Sequence, residues 1–206
     1  MRIGVLALQG DFARHASALA HCGVAVVEVR KPEALGGVDG LIIPGGESTT
    51  LLQLMEAWGF VPALEKFHGA GKPVFGTCAG LIVLARDVEN PPQFSLGLID
   101  VRVERNAYGR QRESFEAIGV ALLDGRPASI EMVFIRAPRI RRVGPGVEIL
   151  ARHGDDPVLA RQGSVLVGTF HPELTADTTI HRYFCEMVGR AAGRPRAGAR
   201  ASEASL

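Results

Sequence analysis

Three groups of residues have the types and spacing for amide or ester chemistry. In "GTCAG", residues 76–80, a cysteine stands among small residues directly after the apolar run Pro73, Val74 and Phe75. A sharp strand-to-helix turn exposes the residue at its tip, and it needs small neighbours so that backbone and substrate can approach. Gly76, Ala79 and Gly80 supply them. A helix opening at Ala79 would turn its positive end toward Cys78 and favour the nucleophilic thiolate, and the amide after the cysteine would face an oxyanion. A packed turn that needs a small apolar residue accounts for the same five positions.

A thiolate needs a base, and the base needs an acceptor to orient it. "TFHPEL", residues 169–174, offers His171 and Glu173 after an apolar run. Glu173 can accept from one imidazole nitrogen and leave the other facing sulphur, although an exposed His-Pro turn fits these residues taken alone. The third group is "PGGESTT", residues 44–50, which ends an apolar run and opens a helix. Gly45 and Gly46 can direct backbone amides toward a reacting carbonyl, and Ser48 is expected to cap the helix. A phosphate-binding loop lacks its GK[ST] ending here, and Glu47 would repel phosphate.

Arginines could hold a carboxylate bidentately. Arg105 and Arg136 sit near strand ends, in "ERNAYGRQRESF" (104–115) and "FIRAP" (134–138), and are the candidates; Arg110 and Arg112 read as surface charge. Cys22 and Cys185 fall in amphipathic stretches and read as core. His15, His21, His68, His153 and His181 have no partner motif and read as structural.

The elements that must position these groups are short. "IGVLAL" (3–8), "VAVVEV" (24–29), "GLIIP" (40–44) and "PVFGT" (73–77) are nearly continuous apolar runs, as in strands buried on both faces. Helical stretches alternate with them: "DFARHASALAHCG" with Asp11 as cap, "STTLLQLMEAWG" from Ser48, and "AGLIVLARD" after the cysteine. Alternation of this kind implies a doubly wound α/β sheet, whose ligands bind beyond the carboxyl ends of the strands. The Gln9-Gly10, Pro44-Gly45-Gly46 and Cys78 positions all fall there. Beyond residue 95 several extended runs predict antiparallel additions, and "TADTTIHRYFCEMVGR" predicts a closing helix with Ile180, Phe184, Met187 and Val188 on one face.

With 206 residues, 47% of them apolar, one domain over residues 1–189 is expected. The remainder, 190–206, holds four arginines against Glu203 and almost no large apolar side chain, and is expected to be disordered. The body before it is mildly acidic, which argues against nucleic acid. No run approaches a membrane span and no signal peptide is evident, so a cytoplasmic protein is expected. Three widely spaced cysteines fit reduced thiols better than disulfides or a zinc site.

Together PGGES, GTCAG and HPE resemble the class I (triad) glutamine amidotransferases. Within that class, "LALQGDFARH", "GLIIPGGESTTL", "GTCAGLIVLA", "LGLIDVRVERNAYGRQRESF", "FIRAP" and "GTFHPEL", in this order, are similar to the glutaminase subunits of pyridoxal 5′-phosphate synthase. The resemblance implies a flavodoxin-like fold with a mostly parallel sheet, and hydrolysis of L-glutamine to glutamate and ammonia. It also implies a (β/α)8-barrel synthase partner in a hetero-oligomer that consumes the ammonia, with no cofactor or metal in this chain. By the same resemblance Cys78 is the nucleophile, His171 the base and acid, and Glu173 its orienter. Gly46 and Ala79 form the oxyanion hole, and Gly46, Glu47, Ser48, Arg105, Ile135 and Arg136 bind glutamine. Other readings of these residues are a glutaminase serving a different synthase, a cysteine hydrolase of another class, or a binding module that retains a cysteine.

Overall fold

The computed structural model describes residues 1–105, 107 and 114–193; Arg110 and Arg112 lie outside them, as do residues 194–206 of the expected tail. Along the chain run β1 (Arg2–Leu6), α1 (Phe12–His21), β2 (Ala25–Val29), β3 (Gly40–Ile43), α2 (Ser48–Ala57), α3 (Phe60–Gly69), β4 (Val74–Thr77) and α4 (Ala79–Leu84). Then come β5 (Ala85–Glu89), β6 (Ile99–Glu104), β7 (Ser114–Leu123), β8 (Arg126–Ile135), β9 (Arg139–Val143), β10 (Glu148–His153), β11 (Asp156–Gln162), β12 (Val165–Gly168) and α5 (Thr179–Ala191).

Nine strands form one sheet in the order β2-β1-β3-β4-β12-β11-β10-β7-β8, and β5-β6-β9 form a second, smaller one. The five strands from β2 to β12 are parallel, and the rest of the large sheet is antiparallel. The central strands are apolar at successive positions because both faces are covered. In β3, Leu41 and Ile43 pack on the side of α2, α3 and the small sheet, while Ile42 packs with Phe75, Phe184 and Val188 on the side of α1 and α5. Each fully buried aliphatic side chain on such a strand contributes about 1.5–3 kcal/mol.

Several local expectations change. The helix after Cys78 ends at Leu84 rather than running through Asp87, because Ala85–Glu89 turns extended and pairs with β6. Asp11 occupies the N-cap position of α1, but its side chain makes no capping hydrogen bond. Helix α5 runs to Ala191, so the first two residues of the expected tail are helical. Among the described residues no helix is long and apolar enough to cross a membrane.

The turn carrying the cysteine is held by close backbone approach. A Cβ on Gly80 would lie 2.1 Å from Ile43 O, with no flexible side chain to give way. Gly80→Ala is therefore expected to force α4 away from β3 and to cost about 2–3 kcal/mol. Urea unfolding followed by circular dichroism would measure it, and a loss under about 0.5 kcal/mol would show that the contact relaxes freely.

Candidate active site

Strands β4 and β12 are neighbours with parallel register, Gly168 opposite Thr77. Their carboxyl ends therefore deliver Cys78 and the segment leading to His171 to the same edge of the sheet. The amide of Cys78 donates to Gly168 O at 2.8 Å, tying the turn to the adjacent strand. Cys78 has φ 47 and ψ −102, a conformation that a non-glycine residue holds only where its surroundings impose it. Beyond it α4 is only six residues long.

His171 follows β12, and its amide donates to Val133 O at 2.8 Å, which places it beside β8 as well. Pro172–Leu174 forms one 3-10 turn rather than an extended stretch. That turn brings Glu173 Oε1 to 2.8 Å from His171 Nδ1, with both residues buried. With Nδ1 so engaged, the ring nitrogen left for sulphur is Nε2. Burial lowers the His171 pKa, but hydrogen bonding and charge from Cys78 and Glu173 outweigh it and hold the ring at about 10. A raised pKa of this kind supplies stability that is full below the ordinary value near 6.5 and is lost as pH rises through about 10. Burial opposes ionisation of Glu173, yet His15 and His171 beside it keep its carboxyl below the usual range.

The loop after β3 closes over this pair. A Cβ on Gly45 would sit 2.4 Å from His171 Cε1 and 3.3 Å from Cys78 Cβ, so only glycine lets the loop lie against both. Gln9, three residues past β1, lies against Gly46, and its Oε1 accepts from the Glu47 amide at 3.3 Å. Ser48 is not the helix cap. Glu47 is, its carboxylate accepting from Thr49 N–H at 3.0 Å and Thr50 N–H at 2.7 Å, because two oxygens satisfy two unpaired amides at once. Ser48 is the first helical residue, buried, and its hydroxyl donates to Gln93 Oε1 at 3.0 Å. Arg105, at the end of β6, donates to Thr49 Oγ1 at 3.1 Å and pairs with Glu47 Oε1 at 3.4 Å.

Burial alone would raise the Glu47 pKa, but the Thr49 and Thr50 amides bring it to about 2. A depressed carboxyl stabilises the fold above its ordinary value of 4.5 and loses that contribution as pH falls through about 2. Glu47→Ala is therefore expected to cost about 1 kcal/mol at pH 7, with the gap from wild type narrowing below about pH 4. Denaturant titrations at both pH values check this; a gap that is absent at pH 7 or constant with pH would contradict it.

Ile135 ends β8, two residues after the carbonyl that binds His171, and Arg136 follows with φ 43 and an exposed guanidinium. No hydrogen bond or ion pair joins Arg136 to Cys78, His171 or Glu173 among the described residues. Cys22 and Cys185 stand apart from this edge, and burial pushes the Cys185 thiol up to about 12.

Two histidines read as structural belong to the site's surroundings. His15 and His181 are completely buried, His15 Nδ1 is 3.0 Å from His181 Nε2, and His15 Nε2 is 3.3 Å from Glu173 Oε2. No motif in the sequence joins them. The signal that was present is a histidine at an apolar position of each of two amphipathic helices, α1 and α5.

The same chain is similar to proteins of known name. Its residues 5–190 match the SNO glutamine amidotransferase family. A relative from Koribacter versatilis (strain Ellin345), the pyridoxal 5′-phosphate synthase subunit PdxT, is 57% identical over 188 residues, covering 91% of this chain and 96% of the relative. A solved glutamine amidotransferase, 52% identical, superposes with a TM-score of 0.85 over 91% of this chain and 98% of that one. PurLQS from Thermotoga maritima is only 16% identical at a TM-score of 0.66, covers 92% of this chain and 96% of that one, and shows the fold alone. With the family match spanning the parallel sheet, the cysteine turn and the His171–Glu173 pair, the chain belongs to the SNO glutamine amidotransferase family.

Proposed function

We propose that this chain is the glutaminase subunit of a pyridoxal 5′-phosphate synthase, hydrolysing L-glutamine and passing ammonia to a (β/α)8-barrel synthase partner in a cytoplasmic hetero-oligomer. The observation that carries the chemistry is the convergence of Cys78 with the sequence-distant pair His171 and Glu173 at one sheet edge. The high identity to PdxT supports the choice of acceptor.

In this reading the Cys78 thiolate attacks the side-chain amide carbon of glutamine. The resulting oxyanion is met by the amides of Gly46 and Ala79. His171, as imidazolium, gives its Nε2 proton to the departing nitrogen, which leaves as ammonia and a thioester remains. The same ring then takes a proton from water as it attacks the thioester, releasing glutamate and restoring the thiolate–imidazolium pair. Glu173 keeps the ring oriented and balances its charge throughout. Glu47, Ser48, Arg105, Ile135 and Arg136 surround the amino acid end of the substrate, with an arginine for its carboxylate.

A glutamine-like electrophile should label Cys78 covalently, and excess glutamine should protect it; mass spectrometry of the digested protein reads both. Labelling on another cysteine, or labelling that glutamine leaves unchanged, would refute the site assignment. Mixing the chain with the synthase partner, glutamine and sugar phosphates, then following coenzyme formation, tests the acceptor. Glutamate release without coenzyme would leave a glutaminase serving a different synthase.

A further inference from the structure

Glu173 has two carboxylate oxygens, and the triad uses one of them. Oε1 accepts from His171, whereas Oε2 is buried and has no hydrogen-bond partner among the described residues. An orphaned carboxylate oxygen in the interior is costly and invites the group to rotate or take a proton. His15 Nε2 lies 3.3 Å away, at ion-pair distance but without hydrogen-bond alignment, and the same nitrogen is 3.2 Å from Thr77 Oγ1. Catalytic contacts are often loose before substrate binds and tighten afterwards.

The proton positions in this cluster follow from acceptor counting. A carboxylate can only accept, so a bare His15 Nε2 would set two acceptors facing each other at 3.3 Å. The His15 proton therefore belongs on Nε2, which leaves Nδ1 as an acceptor. The partner of Nδ1 is His181 Nε2 at 3.0 Å, which must then carry its own proton. His181 Nδ1 ends the line, buried and without a partner among the described residues.

We infer that His15, with its tautomer fixed by His181, is a positioning residue that donates Nε2–H to the free oxygen of Glu173 and holds that carboxylate against His171 during turnover. The line runs His181, His15, Glu173, His171, Cys78, from helix α5 through α1 to the cysteine turn. Both outer rings stay neutral. Burial lowers the His15 pKa, countered by Glu173 and Asp11 and reinforced by His171; burial and His15 bring His181 to about 3 against the opposing pull of Glu173 and Asp177. A neutral ring delivers a proton to the carboxylate's surface without placing a second positive charge beside the His171 imidazolium.

The kinetic arm of the test rests on the glutaminase reading; the spectroscopic arm does not. In the complex with the synthase partner, His15→Leu is expected to lower kcat by about tenfold with KM for glutamine nearly unchanged. The acid limb of kcat/KM should move up by about one pH unit as Glu173 loses a donor. His15→Gln, whose amide reaches toward the Nε2 position, should recover most of both. His181→Phe should give a smaller loss that adds nothing to His15→Leu.

For the full native chain, 15N-histidine NMR should show Nε2–H on His15 and on His181, with neither ring titrating between about pH 6 and 9. A proton on His15 Nδ1, or titration of either ring in that window, overturns the inference. So does wild-type kcat with an unmoved limb in His15→Leu, or equal losses in the Leu and Gln variants. If native protein fails to release glutamate, the functional reading falls and the tautomer measurement still decides the relay. If His15→Leu does not fold, His15→Gln and the native spectrum decide it.

Discussion

Cys78→Ala is expected to remove glutamine-dependent ammonia production, by at least about 10⁴-fold, while leaving the fold intact. The residue is 6% exposed and sits at the tip of a turn fixed by backbone contacts, including the 2.8 Å bond from its own amide to Gly168 O. Those contacts survive the substitution, and alanine is smaller than cysteine. The other thing lost is the sulphur's hydrogen bond and charge on His171, a local contribution that leaves the backbone contacts in place. The decisive control is chemical rescue: with the synthase partner and sugar phosphates present, added ammonium should restore coenzyme formation to the Cys78→Ala complex. Glutamine-dependent glutamate release that persists in the variant would dismiss the cysteine as nucleophile. Failure of ammonium to rescue, with activity lost, would point to a broken assembly instead.

Glu173→Gln is the second large effect. The substitution keeps shape and volume at a residue that is 5% exposed, so packing changes little. What it removes is the negative charge 2.8 Å from His171 Nδ1 that supports the imidazolium. The new amide can also turn its nitrogen toward Nδ1, which would place the imidazole proton on Nε2 and point it at sulphur in the neutral ring. A ring in that tautomer cannot accept the thiol proton. A loss in kcat of about 10³–10⁴-fold is expected, with KM for glutamine within a few fold. Single-turnover glutamate release measures it. A kcat within tenfold of wild type would show that Glu173 does not orient the base.

Much of this arrangement was legible from residue types. Buried strands announce themselves as unbroken apolar runs, and the chemistry sits where those runs end in Gln9-Gly10, Gly45-Gly46 and Cys78. The Cys78–His171–Glu173 set could be read because each member lies in a short motif whose neighbours serve its geometry. His15 and His181 could not, since they are 166 residues apart and nothing local to either one names the other. The cap of α2 was misplaced on Ser48 because capping preference favours serine in general, whereas here the preceding carboxylate reaches two amides together. The early end of α4 was also beyond local reading. "LARD" is a good helical sequence, and only the strand it pairs with makes Ala85 extended. In β7 the apolar Ile118, Val120 and Leu122 lie exposed along one side of the strand while Ala121 on the other is buried, a sidedness that composition does not tell.

The two amides that carry the reacting side chains, those of Cys78 and His171, are both spent on strand carbonyls, Gly168 O and Val133 O. Such hydrogens exchange with solvent only when the strands that hold them open, so the proposed nucleophile and base ride on hydrogen-bonded backbone rather than on free loop. In the proposed turnover the substrate is therefore expected to move past a sulphur and an imidazole whose backbone stays anchored to the sheet.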